Sequence, residues 1–234
     1  MAPLVILPGY LAGASEYEPL RQELEARGYA ARVVPLRVLS WFPTLGGRPV
    51  TPILWALREA IQKTCAEFGV DRVNLVAHSA GGWIARIYLG SVPYEGQVWQ
   101  GREHVSTLIS LGSPHTSRER WTKRNLDFVN THYPGAFWPE VKYVCVAGRA
   151  IQGRRLGLGS LWRQEDYLAW LAYNSYWLTA GQGELWGDGI IPIEAAHLQG
   201  AINLTLPGCY HSGRGGRRWY GSPEVVEAWT RYLA

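Results

Sequence analysis

The segment LVAHSAGGWI at positions 75–84 constrains the fold more than any other, because an apolar strand ends there at a serine and a helix follows at once. Two small residues, Ala77 and Gly81, lie two positions to either side of Ser79. A turn this tight strains the serine, excludes large neighbouring side chains and holds the hydroxyl clear of the sheet. The pattern predicts that Ser79 is a catalytic nucleophile. The alternative is an ordinary turn in which Ser79 only caps the helix.

Short β-branched and apolar runs alternate with helix-like stretches along the chain, which is typical of a largely parallel sheet covered by helices. We predict an α/β fold with a mostly parallel sheet of about six strands and helices on both faces. A helix that ends near Gly28 is expected to begin with a capping box of Ser15 and Glu18. Ser222 and Pro223 predict the start of the last helix. The expected strands are residues 4–7, 30–35, 72–77, 105–111, 141–147 and 201–206.

The chain of 234 residues contains no repeat and no low-complexity linker, so one domain over residues 1–234 is the simplest organisation. Residues 113–140 and 149–187 do not fit the alternation, and both follow strands. Loops at the carboxyl ends of strands build the active sites of such sheets. We therefore expect these insertions to form a cap over the site, with the apolar residues of 160–178 lining a lid. The alternative is that these aromatic residues pack one more helix onto the domain.

Acyl transfer at Ser79 requires two backbone N–H donors that stabilise an oxyanion. Ala80 is one candidate, because its N–H lies at the start of the helix that follows the serine. The loop after the first strand, with the sequence LPGYLAG at 7–13, supplies the other. Tyr10 is the expected donor in this loop and Leu11 is the alternative. A simple turn would also explain the glycines.

A base and an acid are expected near the last strand. His211 follows that strand and is the one histidine of six with this position. Asp188 lies between two glycines in the loop before the strand, where it could hold the imidazole in the required tautomer. The order Ser79, Asp188, His211 is that of a hydrolytic triad on such a sheet. The alternatives are Glu194 as the acid and a plain turn role for Asp188.

Other residues are candidates for substrate contact by their position alone. Leu11 and His78 adjoin the expected donor and the expected nucleophile, although packing or hydrogen bonding is the favoured role for His78. His115 follows the fourth strand. Trp162 and Trp170 belong to the expected lid.

Composition excludes several classes of protein. Hydrophobic residues make up 47% and charged residues 18% of the chain, which excludes a disordered protein. No apolar run approaches the roughly 20 residues that span a bilayer, and no signal peptide is evident, so we expect a cytoplasmic protein without a transmembrane segment. The net charge of +4 is dispersed, so nucleic acid is not an expected partner. The cysteines at 65, 145 and 209 have no metal-binding spacing and are expected to be structural thiols.

One cluster of positive charge, Arg214, Arg217 and Arg218, follows His211 directly. Such a cluster is most often a solvated surface loop. The alternative is a peripheral contact between this loop and an anionic membrane surface.

With these motifs in place, the chain resembles the lipase/esterase branch of the α/β hydrolases over almost its whole length. It looks most like the compact bacterial lipases and the lipase-like domains related to GPI inositol-deacylase. Pro8, where many relatives have histidine, and Ala77, in place of glycine, depart from the family pattern. The segments that carry the resemblance are residues 4–13, 73–82, 108–115, 187–192 and 206–212.

The resemblance implies a six-stranded parallel sheet that lacks the first two strands of larger relatives. It also implies ester hydrolysis without a cofactor or metal, with Ser79, Asp188 and His211 in the matching positions. The apolar lid favours a lipid-like or long-acyl ester as the small-molecule substrate. A thioesterase or acyltransferase with the same triad is the first alternative. The second is a non-catalytic binding protein on the same fold.

Overall fold

A parallel sheet of six strands forms the centre of the protein, which a computed structural model describes over residues 2–157 and 163–233. Its strands are β1 (Leu4–Leu7), β2 (Ala31–Val33), β3 (Val73–His78), β4 (Val105–Leu111), β5 (Lys142–Arg149) and β8 (Ile202–Pro207). They lie in the order β2-β1-β3-β4-β5-β8, and every neighbouring pair is parallel. The predicted parallel sheet is therefore confirmed. A separate antiparallel pair consists of β6 (Ile151–Gln152) and β7 (Trp186–Gly187).

Helices connect the strands and cover both faces of the sheet. The final helix begins at Pro223 after Ser222, as the sequence predicts. The helices are α1 (Glu18–Ala26), α2 (Thr51–Phe68), α3 (Gly81–Tyr88), α4 (Arg120–His132), α5 (Gln164–Ala180), α6 (Ile193–Ala196) and α7 (Pro223–Thr230).

Two hydrophobic cores lie on opposite faces of the sheet, because alternate residues of a strand point to opposite sides. Val5 and Leu7 of β1 pack into the core that includes α2 and α3. Leu4 and Ile6 pack into the other core, with residues of α1 and α7. All four residues of β1 are fully buried, which explains why the strand is an unbroken apolar run.

The order of the strands reverses direction next to β1. From β1 the chain moves outward to the edge strand β2, and then returns to place β3 on the other side of β1. A crevice opens outside the carboxyl ends of the strands where such a reversal occurs, and ligands of open α/β sheets bind there. The loops after β1 and β3 meet at this crevice. They contain Tyr10 and Ser79 respectively.

The structure corrects two details of the sequence prediction. Ser15 and Glu18 do not form the expected capping box. Instead a 3-10 helix precedes α1, and the backbone N–H of Gly13 donates to the carboxylate of Glu16 at 3.0 Å. The two irregular stretches also contain regular structure, since α4 lies within 113–140, and β6, α5 and β7 lie within 149–187. A cap formed by these stretches stays a prediction.

No helix in the described part of the chain is long and apolar enough to cross a membrane.

Candidate active site

Ser79 occupies the turn between β3 and α3, and its backbone has a φ of +53°. A positive φ is uncommon for a residue with a side chain and marks local strain. The strain is held in place because the Ser79 N–H donates to the carbonyl of Leu111 at 2.9 Å. Gly81 leaves little room for a side chain, since a Cβ there would lie 3.0 Å from the carbonyl oxygen of Leu7. The small residue at this position therefore lets the turn pack closely against β1.

His211 lies within hydrogen-bond distance of Ser79 on one side and of Asp188 on the other. Its Nε2 is 3.1 Å from the Ser79 Oγ, and its Nδ1 is 2.7 Å from the Asp188 Oδ2. An ionised carboxylate can only accept, so Nδ1 carries the proton and Nε2 is left to accept from the serine hydroxyl. The backbone N–H of His211 also donates to the Asp188 carbonyl at 2.9 Å. The two loops are therefore joined by main chain as well as by side chains.

The carboxylate of Asp188 is buried and fully hydrogen-bonded. Its Oδ1 accepts from the N–H groups of Ile190 and Ile191 at 2.9 and 2.7 Å, and its Oδ2 accepts from the Tyr220 hydroxyl at 2.8 Å in addition to His211. Burial alone would raise the pKa of Asp188, but His211 and the two N–H groups favour the charged form, and the pKa is lowered overall. The group is therefore held as an anion.

Glu194, the alternative acid, is exposed at the start of α6, and the structure does not bring it to His211.

Two glycines leave the space that the Asp188 carboxylate occupies. A Cβ on Gly112, after β4, would lie 2.7 Å from the Asp188 Oδ2. A Cβ on Gly148, in β5, would lie 2.9 Å from the Asp188 Cβ. Gly112 also has a φ of +54°, so the backbone there favours glycine for a second reason. The ends of two central strands, β4 and β5, thus form the space that the carboxylate occupies.

The loop after β1 passes directly over the serine. A Cβ on Gly9 would lie 2.9 Å from the Cβ of Ser79, so only glycine fits. The N–H of Ala12 donates to the Gly9 carbonyl, which closes a tight turn with Leu11 at a φ of +57°. Within the described part of the chain, nothing accepts a hydrogen bond from the N–H of Tyr10 or that of Ala80. These two donors are thus available beside the serine hydroxyl.

Comparison with solved structures agrees with this architecture, whereas neither known protein families nor curated proteins yield a match to the sequence. An α/β hydrolase enzyme from the metagenome of sediments from the lagoon of Mar Chica, Morocco, aligns over 99% of this chain and 91% of its own, with 15% identity and a TM-score of 0.53. This protein has the α/β-hydrolase fold. The predicted fold is thereby confirmed.

Looser likenesses within the α/β-hydrolase fold carry no argument about activity. Lipase B from Aspergillus fumigatus matches 62% of this chain with 16% identity and a TM-score of 0.45, and a pyrethroid hydrolase from Sphingobium faniae matches 50% with 19% identity and a TM-score of 0.31. The chain spans only 37% and 41% of the lengths of these two proteins.

Two of the predicted substrate contacts, His115 and His78, are buried, and His78 has the hydrogen bonds that the sequence analysis favoured for it. His115 is 1% exposed, and its Nε2 lies 3.4 Å from the Cys145 sulfur and its Nδ1 3.5 Å from Arg86. Burial and the Arg86 charge lower its pKa well below the usual value. His78 is 6% exposed and hydrogen-bonded through both ring nitrogens. A position after a strand brings a side chain to the correct edge of the sheet but does not decide whether it faces the cleft or the core.

The predicted contacts at Leu11 and Trp170 stay predictions. Leu11 is 42% exposed on the loop beside Ser79. Trp170 is half-buried on α5, where its ring packs against Tyr167. Trp162 lies outside the described residues.

Two buried tyrosines at the site could not be found from the sequence. Tyr220 donates to Asp188, and Tyr17 accepts from Gly9 and donates to His78. No local motif marks these tyrosines, because His78 lies 61 residues from Tyr17 and Asp188 lies 32 residues from Tyr220 in the chain. A buried tyrosine that flanks a glycine-rich functional loop is the weak signal that could have suggested them.

The arginine cluster near His211 is engaged within the molecule. Arg214 is 3.3 Å from Glu16, Arg218 is 2.8 Å from Glu224, and the Arg217 guanidinium lies over the ring of Tyr210. These exposed pairs contribute little to stability. They also offset part of the positive charge on which the predicted membrane contact depends.

Proposed function

We propose that this protein is a serine hydrolase that cleaves carboxylic esters through Ser79, His211 and Asp188. The observation that carries the proposal is the continuous hydrogen-bonded path from the Ser79 hydroxyl through His211 to the buried Asp188 carboxylate, with distances of 3.1 and 2.7 Å. This path lies at the crevice where α/β sheets bind ligands. A non-catalytic binding protein would gain nothing from a strained serine in line with a base and an acid.

The reaction proceeds in two transfers of the acyl group. The Ser79 oxygen attacks the ester carbonyl while its proton passes to His211 Nε2, and the carbonyl oxygen becomes an oxyanion. The N–H groups of Tyr10 and Ala80 stabilise that oxyanion, and the position of Ala80 at the start of α3 adds the favourable end of the helix dipole. His211 then gives its proton to the departing alcohol. Water repeats the sequence on the acyl-enzyme and restores the serine.

Asp188 stabilises the imidazolium that forms when His211 takes the proton. Its lowered pKa keeps the carboxylate charged at neutral pH, and its Oδ2 fixes the Nδ1–H tautomer. Asp188 therefore orients His211 and stabilises its positive charge, and the carboxylate does not itself take up the proton.

A lipid-like or long-acyl ester is the substrate class we favour. Large apolar side chains are exposed on segments that follow the carboxyl ends of the strands: Leu11, Leu39, Phe42, Trp121 and Trp177. An apolar surface beside the crevice favours an ester with an apolar chain over a short polar one.

A series of p-nitrophenyl esters from acetate to palmitate tests this proposal. We expect kcat/KM to rise from the two-carbon ester to medium or long chains. Parallel assays with acyl-thioesters, and with an added alcohol as acceptor, separate ester hydrolysis from thioesterase and acyltransferase activity. Turnover of none of these substrates by the folded wild-type protein would contradict the proposal and favour the binding-protein alternative.

A further inference from the structure

A chain of buried hydrogen bonds links the three loops of the site beneath Ser79. The Gly9 N–H donates to the Tyr17 oxygen at 2.8 Å, the Tyr17 oxygen is 2.7 Å from His78 Nδ1, and His78 Nε2 is 2.9 Å from the His211 carbonyl. Gly9 precedes the expected oxyanion donor, His78 precedes the serine, and His211 is the base. The chain therefore spans the loops of the oxyanion donor, the nucleophile and the base.

The direction of each bond in this chain is fixed. The Gly9 N–H can only donate, so the Tyr17 oxygen accepts from it and has one proton to give, which goes to His78 Nδ1. A neutral ring with an accepting Nδ1 carries its proton on Nε2, and that N–H donates to the His211 carbonyl, which can only accept. Each of the four groups therefore has a hydrogen-bond partner, and every N–H or O–H proton in the chain is donated.

His78 is held neutral beside a base that becomes charged during the reaction. The ring centroids of His78 and His211 are 4.7 Å apart. Burial, with a further contribution from His211, lowers the pKa of His78 to about 3. A second cation at this distance would oppose formation of the His211 imidazolium. The neutral His78 ring links Tyr17 to the His211 carbonyl without that electrostatic repulsion.

We propose that Tyr17 and His78 are positioning residues that set the oxyanion loop and the base loop at a fixed distance from Ser79. The inference rests on the proposed function. Without Tyr17, the Gly9 N–H loses its buried acceptor, and the Tyr10 N–H one residue along shifts relative to the serine. Without His78, the His211 carbonyl loses its donor. A displacement of about 1 Å in such groups costs up to about 100-fold in rate.

Tyr17→Phe tests the inference, because it removes one hydroxyl and keeps the ring that packs in the core. Tyr94→Phe is a matched control. Tyr94 is also buried, accepts a backbone N–H from Val50 at 2.9 Å and donates to Asn125 at 2.6 Å, but it lies outside the proposed site. The readouts are kcat and KM on a short-chain p-nitrophenyl ester, the affinity of an alkyl trifluoromethyl ketone, and the thermal midpoint. The ketone is a direct probe of the oxyanion site, since its carbonyl oxygen becomes negative when the serine adds to it.

We expect Tyr17→Phe to lower kcat about tenfold or more with KM within about twofold, and to weaken ketone binding by a similar factor, as an interaction made mainly in the transition state requires. Tyr94→Phe should lower the thermal midpoint comparably and leave kcat and ketone affinity near wild type. His78→Asn, which cannot reach both partners, should lower kcat as well.

The inference is overturned if Tyr17→Phe and His78→Asn keep kcat and ketone affinity within twofold of wild type. It is also overturned if Tyr17→Phe and Tyr94→Phe lower kcat equally, since the effect would then be one of general stability. A failure of the proposed function has a different signature: wild-type Ser79 would not react with a fluorophosphonate, and the inference would fall with it.

Discussion

Two regions with opposite physical character meet at the carboxyl edge of the sheet. Beneath Ser79 lies a buried network of Tyr17, His78, Asp188 and Tyr220, whose members are at most 6% exposed. Leu11, on the loop that passes over Ser79, belongs to an apolar rim on neighbouring loops, whose members are between 42% and 65% exposed: Leu11, Leu39, Phe42 and Trp121. The network is polar and enclosed, whereas the rim is apolar and open to solvent.

The difference follows from the energetic cost of burying polar groups. Every buried donor and acceptor in the network must find a partner, because an unpaired one costs about 1–3 kcal/mol. That requirement leaves one arrangement and fixes the positions of the proposed catalytic groups. The rim side chains are under no such constraint. The network therefore determines which chemistry is feasible, and the rim is where substrate preference can vary.

Segments of the rim contact one another even though their side chains are exposed. The Trp41 indole N–H donates to the Ala12 carbonyl at 2.9 Å, which joins the loop of Leu11 to that of Phe42. Gly47 packs against the Trp121 carbonyl, where a Cβ would lie 3.1 Å away. The rim is thus a set of neighbouring loops, and not scattered apolar residues.

The largest change to the network short of removing the nucleophile is Asp188→Asn. An amide at this position favours the wrong imidazole tautomer, so we expect kcat to fall about 10⁴-fold. Glu194→Gln is the matched control and should retain nearly full activity, since Glu194 is exposed and not paired with His211. Kinetics on a short-chain ester measure both. An active Asp188→Asn with an inactive Glu194→Gln would assign the acid to Glu194.

Removal of the Tyr220 hydroxyl perturbs the hydrogen bonding of the Asp188 carboxylate less than Asp188→Asn does. Tyr220→Phe deletes one donor to the Asp188 Oδ2 and leaves the other three hydrogen bonds of the carboxylate in place. We expect kcat to fall about tenfold, which matches the loss of one hydrogen bond to a charged group. The loss of a donor to the charged form also raises the pKa of Asp188 toward its ordinary value. Activity equal to wild type would show that the Tyr220 hydroxyl does not act through Asp188.

Two buried histidines, His78 of the network and His115 beside Arg86, make the folded protein sensitive to acid. The pKa of His78 is lowered to about 3 and that of His115 is lowered in the same direction, chiefly by burial. An unfolded histidine takes up a proton near pH 6.5 while these two stay neutral, so stability is full above about pH 6.5 and falls as the pH drops toward the folded values. Each contributes a loss of up to about 1.4 kcal/mol per pH unit in that window.

Urea denaturation of the wild type at pH 7.5, 6.5, 5.5 and 4.5 measures this loss. The free energy of unfolding should decline below pH 6.5, and His115→Asn should show a shallower decline because one histidine is gone. Constant stability between pH 6.5 and 4.5 would contradict the neutral state assigned to both side chains.

The smallest effect is expected at the rim, and it should depend on the substrate. Trp121→Ala should leave hydrolysis of a two-carbon ester unchanged and lower kcat/KM for long-chain esters by about two- to tenfold, since partial burial of apolar surface is worth on the order of 1 kcal/mol. Trp55→Ala removes a similarly exposed tryptophan from α2 and is the control. An equal loss of kcat/KM on short-chain and long-chain esters would show that Trp121 affects the reaction itself. The rim would then not be distinct in its role from the network.

Local sequence patterns predict the fold and the proposed triad, because each pattern is tied to a strand end. Ser79 lies in a strand-to-helix turn, and His211 follows the last strand, so both could be placed without knowledge of distant contacts. Tyr17 and Tyr220 could not be placed, since they reach His78 and Asp188 across 61 and 32 residues. The capping prediction at Ser15 and Glu18 failed because Glu16 takes the Gly13 N–H.

Covalent labelling of the serine is the sharpest test of its role as the nucleophile. Wild-type protein and the Ser79→Ala variant are treated with a fluorophosphonate, and the modified residue is located by peptide mass spectrometry. We expect one adduct on Ser79 in the wild type, none in Ser79→Ala with its fold and thermal midpoint retained, and much slower labelling in His211→Ala. Absence of labelling in the wild type, or an adduct on another residue together with full esterase activity in Ser79→Ala, would contradict that role.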